Sequence, residues 1–384
     1  MMPVQAWSSA LIAVLVGFGG TIALVVQALQ VLGASAPQIE SAVTALCLGI
    51  ATAGLLFCWR LKVPVVLAWS TPGAALLAAT APGLSWTAVV GVFVASAVMM
   101  TVTGLVPTLG RLAQRIPAAI ASAMLAGVLL PFCLTLFATA ADDPLLVAVV
   151  LCVFIIARLR APLYALLLVL MADVVLAWSR GQISELPAGS LLGSLAPMAP
   201  VFDGPAIVSL AFPLFLVTLV SQNLSGLVVL RAADFHPQPG PLIAGTGLIS
   251  VLMAPFGAHA INLAAITAAI CTSADAHPDR EQRWKVGMIY AGFYALLALF
   301  APLLVRFFLA LPTPVISVLT GIALIPSLMS AMDTMFQHKQ DREAALVTFL
   351  ATGSGLTLWG LGAAFWGIAA GFVMLGARQL FSKS

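Results

Sequence analysis

Fourteen apolar runs, set close together along the chain, leave it almost no material for a water-facing surface. They span 7–33, 37–58, 63–80, 86–108, 116–138, 144–158, 161–180, 205–231, 239–254, 256–273, 283–309, 312–335, 343–358 and 361–379. A helix that crosses a bilayer takes about 20 apolar residues. Most runs meet or approach that length, while some, notably 63–80, 144–158 and 256–273, are too short to cross alone. Of the 384 residues, 62% are hydrophobic and only 8% are charged, against about a quarter charged in a soluble domain. The chain therefore reads as an all-α integral membrane protein with lipid as its solvent. A net charge of +3 spread over short loops contains no basic run for nucleic acid. Cys47, Cys58, Cys133, Cys152 and Cys271 all lie in apolar runs without metal-ligand spacing, and read as small buried hydrophobes. The first run has no basic stretch before it and no small-residue cleavage site after it, so it reads as a retained helix.

Charge fixes an expected orientation. With the N-terminus in the cytoplasm, the cytoplasmic loops and tail hold Arg60, Lys62, Arg111, Arg115, Arg158, Arg160, Arg231, Arg280, Arg283, Lys285, Lys339, Arg342, Arg378 and Lys383. Those are 14 of the 16 basic residues, and only Arg180 and Arg306 fall toward the other side. Short cytoplasmic loops are enriched in Lys and Arg, and a miscounted segment would scramble the pattern. Both termini are then expected in the cytoplasm.

Seven segments precede residue 181 and seven follow 204, with a Gly- and Pro-containing linker between. The stretch IPAAIASAMLAGVLLP (116–131) is echoed by LPTPVISVLTGIALIP (311–326). The offset of 195 superposes both prolines and Ser122 on Ser317. An odd number of spans per half inverts the second half, an arrangement typical of secondary transporters. The expected organisation is residues 1–180 as one repeat, 181–204 as linker and 205–384 as the inverted repeat.

Segments three and ten are short and interrupted in corresponding places. Segment three reads VPVVLAW, then Ser70-Thr71-Pro72-Gly73, then an Ala/Leu stretch. Its β-branched first part favours extended chain, Ser70 or Thr71 suits an N-cap, and Pro72 suits the first helical turn. Segment ten is broken by Pro255 and Gly257, and an Ala-rich half-helix is expected from about Ile261. A half-helix N-terminus carries free N–H groups and partial positive charge, so two facing ends attract an anion. Irregular backbone at membrane depth is tolerated only in a cavity or buried in protein. Pro-kinked continuous helices are the competing reading.

Ionisable residues inside a membrane are functional candidates by default. Two sit well inside apolar segments: His259, expected at the start of the segment-ten half-helix, and Asp173, in the middle of segment seven. Both are candidates for the coupled proton, and interhelical hydrogen bonding is the alternative role. Segment eight carries Ser221-Gln222-Asn223-Leu224-Ser225-Gly226, whose amides are expected to face a pocket or to join helices. Segment one offers Gly17-Phe18-Gly19-Gly20-Thr21 and Gln27.

The stretches VPVVLAWSTPGAALL (63–77), FPLFLVTLVSQNLSG (212–226), PFGAHAINLAAITAAIC (255–271) and AHPDREQRW (276–284) resemble the benzoate:proton symporter (BenE-type) family over essentially the whole chain. That resemblance implies import of benzoate or a related aromatic carboxylate with a proton across the bacterial inner membrane. It also implies a fold similar to the uracil/xanthine carriers. There, segments 1–4 and 8–11 form a core, segments 5–7 and 12–14 form a gate, and a homodimer is one possible assembly. Carried over by motif, the substrate site falls on Ser70, Thr71, Gly257, Ala258, His259, Asn262, Gln222 and Asn223. For an aromatic carboxylate, Phe18 and Phe256 are candidate wall residues beside it. Nucleobase carriers place glutamates where this chain has Gln222 and His259, and an anionic substrate disfavours carboxylates in low dielectric.

Within transport, a nucleobase, another organic anion or an exported aromatic are the alternatives, and a channel is a further one. No HExxH, no GxSxG and no acidic metal-binding cluster points to an enzyme, a metal or another cofactor.

Overall fold

The computed structural model describes residues 2–80, 83–108 and 117–381. Arg111, Arg115, Ile116 and Lys383, used above for loop charge and for the repeat, lie outside the described residues. Hydrocarbon offers no partner to backbone N–H and C=O groups, so the apolar runs close their hydrogen bonds within helices. The first half contains α1 (Val4–Val31), α2 (Ala36–Leu61), α3 (Thr71–Ala78), α4 (Trp86–Leu105), α5 (Ala118–Ala138), α6 (Pro144–Arg160) and α7 (Ala165–Ser179). The second contains α8 (Gly204–Ala232), α9 (Pro239–Met253), α10 (Ile266–Thr272), α11 (Trp284–Ala310), α12 (Thr313–Met335), α13 (Arg342–Gly353) and α14 (Ala363–Phe381). Among the described residues, nine helical spans are long and apolar enough to cross a membrane.

Helix starts follow local chemistry. Ser35 and Gln38 close a capping box before α2. Ser85, Asp143 and Asp203 accept from Ala88, Leu146 and Ala206 N–H at the starts of α4, α6 and α8. Burial raises the Asp143 carboxyl, but the Leu146 N–H and the Arg180 guanidinium, 2.5 Å away, outweigh it and hold the group below its ordinary range.

The helices pack in pairs: α2 on α11, α4 on α9, α5 on α12, α6 on α7, and α13 on α14 and α5. The two related proline-flanked stretches thus become the adjoining helices α5 and α12, each with a proline (Pro131, Pro326) inside it. Four cysteines are buried, but Cys152 is exposed. It shares α6 with exposed Ile155 and Ile156, on a face that lipid can solvate as well as a protein core would.

Residues 182–203 form neither helix nor strand. The segment is nevertheless held. Ser184 and Gly193 N–H donate to Ala310 and Leu299 carbonyls of α11, Met198 N–H to Pro255, and Val201 N–H to Thr87. Ser41 Oγ of α2 accepts from Ala196 N–H at 2.9 Å. Buried Arg306 donates to the carbonyls of Pro187 and Ser190, and pairs with Glu40 at 3.6 Å.

Candidate functional site

Before each half-helix the chain forms a three-residue strand. β1 (Leu67–Trp69) pairs antiparallel with β2 (Ile261–Leu263) in the register Leu67↔Leu263, Ala68↔Asn262, Trp69↔Ile261. Ser70 N–H to Ala260 O (3.2 Å) and Ala264 N–H to Val66 O (2.9 Å) extend the ladder. The pairing explains how extended backbone survives deep inside the protein: each strand satisfies the other's polar groups. Because the strands are antiparallel, α3 and α10 leave the pair in opposite directions. Both helix N-termini therefore point back at the shared strands.

The second arm corrects one expectation. The half-helix begins at Ile266, not near Ile261, and His259 lies before β2 rather than at a helix start. The ladder offered by β1 takes Ile261–Leu263 out of helical conformation. His259 is buried against Phe93, and its Nε2 faces the Ser70 carbonyl at 3.1 Å. A carbonyl only accepts, so Nε2 carries a proton and donates it.

Ser70 is the most connected residue of the first arm. Its Oγ caps α3 by accepting from Gly73 N–H (3.0 Å), and it also accepts from Thr218 Oγ1 of α8 (2.9 Å). Thr71 follows as the first helical residue and is half-buried. Asn262 sends Nδ2 to Leu263 O (2.9 Å) and to Gln222 Oε1 (3.5 Å), while its buried Oδ1 has no partner. The buried hydroxyl of Thr267, at the start of α10, has none either.

Gln222 and Asn223 diverge although they are adjacent. Both lie in a π-helical turn, Thr218–Leu224. Gln222 is half-buried beside Asn262, whereas Asn223 is fully buried. Asn223 Oδ1 accepts from Leu263 N–H (3.0 Å), and Nδ2 donates to Met100 sulfur (3.4 Å). Asn223 is thus a brace between α8, β2 and α4. Gly226, one turn on, lets α8 approach β2: a Cβ there would meet Leu263 Cβ at 2.5 Å.

Phe18 lies in a second π-helical turn, Leu15–Gly19 of α1, with its ring 5.3 Å from Trp69. Gly257 and Ala258 precede His259 in the same arm, and Ala258 is buried. Gly257 forms the turn that follows Phe256 (φ +95°) and packs against Ala42 and Trp86. Phe256 is held there by its carbonyl, which accepts from Ser41 Oγ. Asp173 lies elsewhere, fully buried on α7 with neither oxygen partnered. That helix packs on α6, α12 and the glycine turn of α1.

The family model for the benzoate membrane transport protein (BenE) matches residues 1–377. The chain belongs to that family. It is 37% identical over 354 residues to the inner membrane protein YdcO of Escherichia coli, covering 92% of this chain and 90% of that one. It is 33% identical over 362 residues to the benzoate membrane transport protein of Acinetobacter baylyi, covering 93% and 92%. Among solved structures, its fold is similar to the transmembrane domain of a cyanobacterial bicarbonate transporter, BicA (TM-score 0.59, 13% identity, 96% of this chain and 97% of that one). It is also similar to the murine Solute Carrier 26 family member A9 anion transporter in its inward-facing state (TM-score 0.65, 13% identity, 99% and 69%). The chain is therefore a multi-pass membrane transport protein and not an enzyme.

Several residues around the strand pair escaped sequence reasoning. Trp69 donates its indole N–H to Thr21 Oγ1 (2.8 Å) and stacks edge-on with Tyr294 (6.2 Å). Tyr290, 5.0 Å from Tyr294, donates to the Leu67 carbonyl (3.0 Å). Ser250 Oγ accepts from Ile261 N–H (2.9 Å). Trp69 in VVLAW, one residue before the polar break, carried a usable signal. The tyrosines sit in an ordinary apolar helix and carried none. A cavity of about 10 Å³ beside His259, Thr218 and Ser250 is barely the room one water needs.

Proposed function

We propose that this transporter imports a small aromatic carboxylate, benzoate or a close relative, together with a proton, by alternating access. One observation carries the reading. Two half-helices leave a single strand pair in opposite directions, so the positive ends of both helix dipoles face it, and none of the residues bonding across the arms is acidic. Such a place favours an anion. The aromatic cluster of Phe18, Trp69 and Tyr294 supplies a wall for a ring, and edge-to-face contact with a ring is favourable. Asn262 Oδ1 and the Thr267 hydroxyl are hydrogen-bonding groups left for a ligand. The relative from Acinetobacter baylyi is named for benzoate, which narrows the anion to that class.

Fourteen crossings in two inverted halves belong to the same proposal. Helix pairing supports it. Moving each helix seven places carries α2–α11 onto α9–α4, carries α6–α7 onto α13–α14, and leaves α5/α12 and the β1–β2 pair unchanged. In this reading α1–α4 and α8–α11 form the moving core and α5–α7 with α12–α14 the gate. Both termini lie in the cytoplasm, at the bacterial inner membrane. Thr320 of α12 donates to Gln27 of α1 across that boundary (3.2 Å). His259, through its bond to the Ser70 carbonyl, and Asp173, in the gate, are the proposed proton-coupling residues.

Uptake of labelled benzoate into proteoliposomes tests this. Accumulation should follow an imposed gradient with the outside acidic. Uptake that ignores the gradient would remove proton coupling. Thermal stabilisation of the purified protein by a nucleobase, but not by benzoate, would overturn the substrate class.

A further inference from the structure

A cavity larger than the one beside His259 lies away from the strand pair. It encloses about 380 Å³, within the size range of small-molecule sites. Its walls come from both proposed domains. The core contributes Leu76 and Thr80 at the far end of half-helix α3, and Ser209 and Leu210 from the start of α8. The gate contributes Val128 of α5 and the stretch from Thr352 to Ala364 that joins α13 to α14. In the orientation proposed above, all these termini face the outside.

Its chemistry suits a flat apolar acid. Leu76, Leu84, Val128 and Leu210 offer surface to a ring. On another side the N-terminus of the 19-residue helix α14, residues Gly362 to Ala364, presents backbone N–H groups with no intrahelical partner. Thr352 also lines the cavity, with its hydroxyl turned to Gly367 of α14. Asp203 stands at the rim as the one acid among the lining residues, with one carboxylate oxygen already taken by the Ala206 N–H.

We infer that this cavity is a second, outer binding site for the same aromatic carboxylate, filled before the core moves. The inference rests on the transport reading above. A ligand there touches both domains at once, so its release toward the strand pair requires the walls to separate. The outer site would therefore set the concentration at which uptake half-saturates, while the strand pair sets which molecule is carried through.

The test is photolabelling of the purified full-length protein with an azido-substituted benzoate, mapped by mass spectrometry with and without excess benzoate. Expected are two benzoate-protected patches, one in 67–73 or 218–226 and one in 76–84, 203–210 or 352–364. In Ala364→Phe, which fills the cavity, the outer patch should disappear and the inner one remain. The KM for uptake should rise about tenfold, the factor that corresponds to about 1.4 kcal/mol. Protected label confined to the inner patch, or an unchanged KM in a folded Ala364→Phe protein, overturns the outer site and leaves the transport reading standing. Label with no benzoate-protected patch anywhere overturns both.

Discussion

The two broken arms have nearly the same shape but opposite hydrogen-bonding economies. The first arm is saturated. Ser70 caps α3 with its side chain, receives Thr218 and lends its carbonyl to His259, while Tyr290 holds the Leu67 carbonyl. The second arm is under-supplied. Its seven-residue half-helix has no side-chain cap, and Asn262 Oδ1 and the Thr267 hydroxyl are both buried without partners. Buried polar groups without partners are costly. Under the proposed function the contrast divides the roles: the first arm is the anchor, and the second is the receiving side that a ligand would complete.

Four substitutions can break that contrast, beginning with the largest effect. Gly226→Val forces a side chain into Leu263 and pushes the second arm away from α8. About 3 kcal/mol of destabilisation is expected, the upper end for overpacking, with loss of uptake, read by thermal unfolding and proteoliposome assay. Ser70→Ala removes the cap and strands the Thr218 hydroxyl. It should cost about 1–2 kcal/mol, again with loss of uptake. Trp69→Phe keeps the ring but deletes the bond to Thr21, for about 1 kcal/mol, and should weaken benzoate binding while leaving the pH-gradient dependence in place. Thr267→Val is the decisive comparison. It deletes a buried hydroxyl that has no partner, so the protein should be stabilised by about 1 kcal/mol while uptake falls. If Thr267→Val instead destabilises as much as Ser70→Ala, the division into anchor and receiver is wrong.

The arms were legible because membrane segments tolerate few interruptions. Pro64, Pro72, Pro255 and Gly257 mark them, and Ser70 with Pro72 marks a helix start that the structure places there. The β1–β2 register was not legible. Three-residue strands carry no usable alternation, and their partners lie nearly two hundred residues apart. The extra pairing moved the second half-helix to Ile266 and left His259 ahead of it. The divergence of Gln222 and Asn223 was hidden for another reason. A π-helical turn widens the helix locally, so neighbouring side chains leave the directions that a 3.6-residue period assigns. Ser250 and Tyr290 act through backbone groups that only the fold brings near.

The strap of residues 184–201 has a mechanical corollary. From Ser184 onward it is bonded to α2, α4, α11 and Pro255, all in the proposed moving body. It cannot then act as a slack tether between the halves, and it travels with that body as cargo. Whatever swivel links α7 to the moving part is compressed into Gly181, Gln182 and Ile183, where Gly181 already adopts φ +64°. A protease that nicks the chain inside the strap should leave an assembled, working carrier, whereas stiffening those three residues should stall the stroke itself.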